Sequence, residues 1–288
     1  LDAPLAVRSV GTPDAGADDS EPGTLPVLDC DNVEEETLTW GTLRATHGAA
    51  SLEYVEQGVE LATAGRVDAI ATAPINKRAI RRAGSDYAGH TGLLADRTGT
   101  EDYSMMLLED DLRVTHVSTH VPLREACDLV TADRVATTIR LTDEALRDLG
   151  VDSPSVAVAG LNPHAGEEGL LGETDGEEIA PAVERARAAG VDATGPVPPD
   201  TVYVRAVGGE FDCVVSMYHD QGHIPVKLLG FDREGVSGVN VTIGLPIVRT
   251  SVDHGTAFDI AGEWTASERS MVDAVRVAAR LARRRSEG

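Results

Sequence analysis

Apolar residues recur along this chain with two periods. From Ala49 to Ala64, Leu52, Val55, Val59 and Ala62 fall at three- and four-residue spacing, which predicts a helix with one face on a core. The next run, Val67-Asp68-Ala69-Ile70-Ala71-Thr72-Ala73, is short and stopped by Pro74, and predicts a buried strand. Further short runs at SMMLL (104–108), RVTHVS (113–118), SVAVAGL (155–161) and CVVSM (213–217) predict more strands. Helical patterns lie between several of them, notably over 132–149 and 176–190. The tail MVDAVRVAARLARRR carries a helical apolar stripe and closes on basic residues, which suit a helix C-terminus. Strands alternating with helices predict an α/β architecture on mainly parallel sheets, with ligands gathered at strand C-terminal ends. Residues 12–25, TPDAGADDSEPGTL, have no periodicity and are expected to form a surface loop.

At 288 residues with 42% hydrophobic content, the chain can bury one large core or two modest ones. No run of 18 apolar residues predicts a transmembrane helix, and the N-terminus lacks the pattern of a signal peptide. The absence of an initiator Met leads us to expect a chain that is either trimmed or incomplete at this end. Acidic residues number 48 against 25 basic ones, a formal net charge of −23. That field repels phosphate backbones and anionic membranes, so neither nucleic acid nor membrane is an expected partner. The excess of acid suits a salt-rich cytoplasm, where screening tolerates self-repulsion, and an anionic substrate would need a local basic pocket. Cys30, Cys127 and Cys213 have no CxxC spacing, which fits a reducing cytoplasm without a disulfide framework.

Four polar clusters stand where apolar runs end: Ala73-Pro74-Ile75-Asn76-Lys77 with Gly89-His90-Thr91, Ser118 to Arg124, Gly160 to Glu167, and YHDQGHIPVK from Tyr218 to Lys227. Among the 8 histidines, His47 and His116 read as hydrogen-bonded structural residues. His120, His164 and His219 differ, because each closes an apolar run and precedes a turn signal (Val-Pro, Ala-Gly, Asp-Gln-Gly). Side by side, three imidazoles with open positions would meet the needs of a catalytic divalent metal. Lys227 and Arg249 are cations in an acidic chain, near Asn240, and with His90 and Thr91 they could hold a phosphate or carboxylate; solvation at the surface is the rival reading. No GxGxxG follows a strand, and there is no Gly-x-Ser-x-Gly or Walker A loop, so Rossmann, serine-hydrolase and P-loop readings lack support.

THVPLREA, GLNPHAGE, GPVPPDTVY, YHDQGHIPVKLLGF, GVNVTIGLP and RTSVDHGTAFDIAG follow one another here in an order that resembles the PdxA-like family, from about Gly58 to Ala279. The resemblance implies one catalytic unit over residues 1–288, made of two intertwined α/β subdomains. Its expected fold is the α/β/α fold of isocitrate and isopropylmalate dehydrogenases, with the active site in the interdomain cleft. It further implies a homodimer whose metal site is shared between subunits, with a divalent metal (Zn, Mg, Mn or Co) on His120, His164 and His219. Substrate contacts map onto His90, Thr91, Lys227, Asn240 and Arg249. NAD or NADP would sit on His254, Gly255, Thr256, Ala257 and Asp259, in a loop similar to the HGSAPDIAG loop of isopropylmalate dehydrogenases. Family chains begin with a strand and a GDPAGIGPE-like loop, absent before Gly41, so the first strand–helix unit is expected to be missing. Asp232–Ser237 reads as an insertion before Asn240.

The implied reaction is NAD- and metal-dependent oxidative decarboxylation of a 4-phosphorylated 3-hydroxy acid. The first expectation is 4-hydroxythreonine 4-phosphate, giving 3-amino-2-oxopropyl phosphate and carbon dioxide. The alternative is D-threonate or D-erythronate 4-phosphate, giving dihydroxyacetone phosphate. Lys227 and Asp220 are the candidate catalytic residues for the hydroxyl proton, Asp220 also as a carboxylate behind the metal ligands. His223 is left unassigned. Readings from other classes are a non-catalytic metal-binding homologue and a phosphate acetyltransferase-like enzyme, the latter having no need of three histidines.

Overall fold

The computed structural model describes residues 5–13, 23–87, 89–230 and 238–287. Most of the expected 12–25 loop and the 232–237 insertion lie outside them. Two short strands, β1 (Ala6–Val10) and β2 (Thr24–Leu28), pair in parallel ahead of the main body. The sequence reading did not anticipate them, because neither run has a strong apolar period.

The predicted helix is α1 (Ala45–Thr63) and the strand after it is β3 (Ala69–Thr72). Asn76 ends the connection by accepting from the backbone N–H of Arg78 and Ala79, both at 3.1 Å, and so caps α2 (Lys77–Arg82). Then follow α3 (His90–Thr98), β4 (Ser104–Glu109), β5 (Leu112–His116), α4 (Leu123–Asp128), α5 (Ala132–Asp148) and β6 (Ser155–Ala159). A π-helical turn, Asp175–Ile179, leads into α6 (Ala180–Ala188), then β7 (Asp192–Val197), α7 (Pro199–Val207) and β8 (Cys213–Ser216). The chain closes through α8 (His219–Gly230), β9 (Val239–Ile243), β10 (Val248–Val252) and α9 (Arg269–Glu287).

Eight strands form one sheet in the order β3-β10-β9-β4-β5-β8-β6-β7. Four pairings are parallel (β3–β10, β5–β8, β8–β6, β6–β7) and three antiparallel (β10–β9, β9–β4, β4–β5). The expectation of a mainly parallel sheet is therefore corrected to a mixed one. Asp110-Asp111 joins β4 directly to β5, and a connection too short for a crossover joins β9 to β10, so these neighbours must run antiparallel.

The sheet lies between helical layers, and alternation along the strands assigns the faces. Val156 and Val158 of β6 pack with Val135, Ile139 and Leu146 of α5 and with Ala274, Ala278 and Leu281 of α9. Ala157 and Ala159 point the other way, toward Val202 and Ala206 of α7 and Val226 of α8. Burial on both faces explains why these strands read as continuous apolar runs. A third cluster joins α1 and α3 through Val55, Val59, Leu93 and Leu94. Among the described residues no helix is long and apolar enough to cross a membrane.

Candidate active site

Strand register builds the floor of one large cavity. Arg249 lies opposite Thr242, and Ser251 opposite both Asn240 and Thr72. Two-residue alternation puts these side chains on the same face of the sheet. Above them is a cavity of about 640 Å³, rimmed by Lys77, His90, Thr91, His120, Arg134, His219, His223, Lys227, His254 and Gly255.

Three buried polar atoms on this cavity have no partner among the described residues: His90 Nε2, Asn240 Oδ1 and Arg249 Nε. Arg249 is only 3% exposed, and the rest of its guanidinium donates to Thr242 Oγ1 at 2.9 Å and Thr72 Oγ1 at 2.8 Å. Among the described residues no carboxylate pairs with it, and burial lowers its pKa to about 10. Burial, then the charges of Arg249 and Lys77, lower His90 to about 4, so it is neutral near pH 7. A buried cation, a neutral imidazole and an amide left without partners are a standing cost unless a ligand satisfies them.

The cavity's charge runs against that of the chain. Lys77, Arg134, Lys227 and Arg249 line it, against one carboxylate among the described lining residues, Asp253, which is itself paired with Lys227. The sequence contains only two lysines, Lys77 and Lys227, and both line this cavity. Lys77 belongs to the first cluster of the sequence reading, yet no role was predicted for it. The scarcity of lysine was the signal that could have found it. Arg134 was also missed; it donates to the carbonyls of Val117 at 3.0 Å and Tyr103 at 2.8 Å.

The second half of the site arises because the β5–β8 pairing continues past both strand ends. Val117 N–H donates to Ser216 O at 2.8 Å, and the Ser118 side chain donates to Met217 O at 2.9 Å. His120 and His219 thus arrive together, with ring centroids 5.4 Å apart. Burial, followed by the charge of Lys77, lowers the His120 pKa. The expected Asp-Gln-Gly turn after His219 is instead the opening of α8, where the Gln221 amide accepts from Met217 N–H and donates to Gly160 O, each at 2.7 Å. A helix was not legible there because Gly222 and Pro225 both argue against one. Asp220 does not line the large cavity; its carboxylate meets His219 Nδ1 at 2.7 Å. A carboxylate only accepts, so Nδ1 carries a proton, and the neutral form of the His219 ring has its lone pair at Nε2.

His164 is not brought to the other two. It is exposed in the segment Pro163–Gly169, where six consecutive residues, His164 to Gly169, have positive φ. Such a backbone is strained for non-glycine residues and persists only where its surroundings fix it. Buried Asp175 anchors the residues just before it, accepting from the N–H of Leu161 at 2.8 Å and of Asn162 at 3.2 Å. Among the described residues no three His, Cys, Asp or Glu side chains stand close enough to hold a metal. Of the loop after β10, His254 and Gly255 border the cavity, while Thr256, Ala257 and Asp259 continue past it, with Ala257 at φ 45°.

The family described as "Pyridoxal phosphate biosynthetic protein PdxA" matches residues 3–278. A D-threonate 4-phosphate dehydrogenase of Salmonella typhimurium is 49% identical over 261 residues, covering 91% of this chain and 79% of that one. A 4-hydroxythreonine-4-phosphate dehydrogenase of Desulforapulum autotrophicum is 47% identical over 258 residues, covering 89% of this chain and 75% of that one. The crystal structure of a 4-hydroxythreonine-4-phosphate dehydrogenase from Klebsiella pneumoniae superposes with a TM-score of 0.86 at 46% identity, covering 96% of this chain and 83% of that one. An α/β/α body of the isocitrate/isopropylmalate dehydrogenase kind, the ordered motifs and these likenesses agree: the chain belongs to the PdxA family and is a PdxA-type dehydrogenase.

Proposed function

We propose that the protein oxidises and decarboxylates a 4-phosphorylated 3-hydroxy acid, with a nicotinamide cofactor and a divalent metal. The carrying observation is the cavity in which His90 Nε2, Asn240 Oδ1 and Arg249 Nε are buried without partners beneath a set of cations. A ligand that satisfies them must bring anionic oxygen acceptors for Arg249 Nε and a donor, such as a hydroxyl, for Asn240 Oδ1. Arg249 and Lys77, with His90 and Thr91, would grip its phosphate or carboxylate, and Lys227 would meet the reacting end near His120 and His219.

His120 and His219 suit a metal, since both imidazoles stand at one wall of the cavity and the Asp220 contact of His219 is made through Nδ1, not Nε2. Two nitrogens are too few, so we take the third ligand to be His164 of the partner subunit in a homodimer. Exposed apolar side chains flank both halves, Leu170 beside the His164 segment and Ile224 and Leu228 on α8, which carries His219. The bound metal would supply Lewis acidity at a substrate hydroxyl, and a nicotinamide on the His254–Asp259 loop would accept the hydride. Asp220 acts by holding the His219 tautomer, which leaves Lys227 as the proton-handling residue at the cavity.

D-threonate 4-phosphate is the first substrate reading, from relatives at 49% identity. 4-Hydroxythreonine 4-phosphate is the second, favoured by the relative at 47% and by the superposed structure. Purified protein with NAD, a divalent metal and each acid in turn would be followed by NADH absorbance. The preferred acid should yield NADH and carbon dioxide in equal amounts, and no NADH from either would refute the reaction. Mixing inactive His164→Ala and His219→Ala proteins should restore part of the activity if the site is shared, and should restore none if each chain holds its own.

A further inference from the structure

His116 and His223 lie outside every role assigned so far, and the geometry links them to His219. His116 ends β5, is fully buried, and sits under the first turns of α8. Its Nδ1 faces Met105 O at 3.4 Å, and its Nε2 meets His223 Nδ1 at 3.2 Å. His223 Nδ1 also lies 3.1 Å from His219 O. A carbonyl can only accept, so His223 Nδ1 carries a proton, His116 Nε2 is the lone pair beside it, and the His116 proton is on Nδ1. Protons in this chain of contacts therefore have a single arrangement.

The imidazole of His223 then stacks on that of His219, with centroids 3.6 Å apart and planes at 10°. Close approach is built in. A Cβ at Gly222 would fall 2.5 Å from His116 Nε2, 2.6 Å from Val114 Cγ1 and 2.8 Å from Ser216 Oγ, so only glycine lets the helix rest on the buried ring. An apolar side chain could fill this space without burying an imidazole, so packing alone does not account for His116.

We propose that His116 and His223 are positioning residues that fix the ring plane of His219, and with it the direction of its Nε2 lone pair. His219 is clamped from two directions, by Asp220 at Nδ1 and by His223 on its face. Partners of this kind set ligand orientation at metal centres, and their loss typically weakens metal binding by about 10–100-fold. The inference rests on the metal reading above, and the test separates the two.

Co²⁺ alone, added to the metal-free protein, serves as the probe, read by calorimetry and by its visible ligand-field spectrum. His223→Ala should weaken Co²⁺ binding about tenfold or more and shift the spectrum. His223→Phe, which keeps a stacking ring, should lose less. Circular dichroism and melting show that each variant is folded, and should His116→Gln fail to fold, the two His223 variants still decide. Folded His223→Ala that binds Co²⁺ within twofold of wild type, with an unchanged spectrum, overturns the proposal. If wild type takes up no Co²⁺ the metal reading fails, and NMR contacts between the ring protons of His219 and His120 decide on positioning. One fixed set of contacts in wild type that becomes averaged in His223→Ala supports it, and an unaltered set in the variant overturns it.

Discussion

Lys227 donates from Nζ to the backbone carbonyl of Asp253 at 2.9 Å and pairs with the carboxylate of the same residue. One of the two lysines on the cavity is thus balanced from within, so the attraction for an anion falls mainly to Lys77 and Arg249. Asp253→Asn removes the one carboxylate among the described lining residues and unmasks Lys227. Inorganic phosphate should then bind several-fold more tightly, measured by calorimetry, while turnover drops because Lys227 loses its anchor. Unchanged phosphate affinity would show that Lys227 does not face the anion.

Lys77 is exposed and opens α2, so the fold does not depend on it. Lys77→Gln should raise KM for the phosphorylated acid by about 10–100-fold, the worth of a charged hydrogen bond, and leave the melting temperature alone. Lys77→Arg should retain most of the affinity. Steady-state kinetics of the pair test whether the charge, rather than the length of the side chain, matters.

Among the described residues, buried Arg249 has no counter-charge. Replacing it by Met should abolish saturable phosphate binding, yet thermal stability should hold or rise, since the substitution removes an uncompensated buried cation. A large loss of stability would instead give Arg249 a structural role through Thr72 and Thr242.

Acid should loosen the fold earlier than carboxylates alone would cause. His116 is held uncharged by burial and by the neighbouring imidazole of His223, with its pKa lowered from 6.5 to about 3. In the unfolded chain it takes a proton near pH 6.5, so between that value and about 3 the unfolded state binds more protons and stability falls with pH. The slope for this one group is up to about 1.4 kcal/mol per pH unit. Urea unfolding between pH 7 and pH 5 should show a shallower loss for His116→Gln than for wild type.

Salt should stabilise the protein. At a net charge of −23, self-repulsion reaches across the surface when the Debye length is about 30 Å, in 0.01 M salt, and is largely screened when it is about 3 Å, in 1 M. Exposed ion pairs such as Arg185–Asp133 and Arg276–Asp273 weaken as well, but each is worth only about 0–1 kcal/mol. The melting temperature in KCl should therefore rise over this range, and a flat or falling curve would refute the screening argument.

Much of this was legible in the residue order. The helix around Val55 and Val59, the strands SMMLL, SVAVA and CVVS and the terminal helix all carry their period openly, because burial on a defined face imposes it. Strands β9 and β10 did not. VNVTI and VRTSV mix Asn, Thr, Arg and Ser into buried positions, since one face of that sheet region floors the cavity. Those polar residues hide the strands and mark the site for the same reason. Helix α8 was hidden likewise, its glycine required by the approach of His116 and its first residues committed to His219, Gln221 and His223.

By itself the sequence determined the family, through long motifs in a fixed order, and the acidic surface that any anion site has to oppose. It also named His90, Thr91, Lys227, Asn240 and Arg249, which the fold gathers on one cavity. Only the tertiary structure decided that Lys77 and Arg134 join them, that Asp220 serves His219 rather than the cavity, and that His164 stands apart within one chain. Periodicity records which face of an element is buried. It carries no record of strand register, of which loops meet across the sheet, or of which side chains are left without partners, and those relationships make the site.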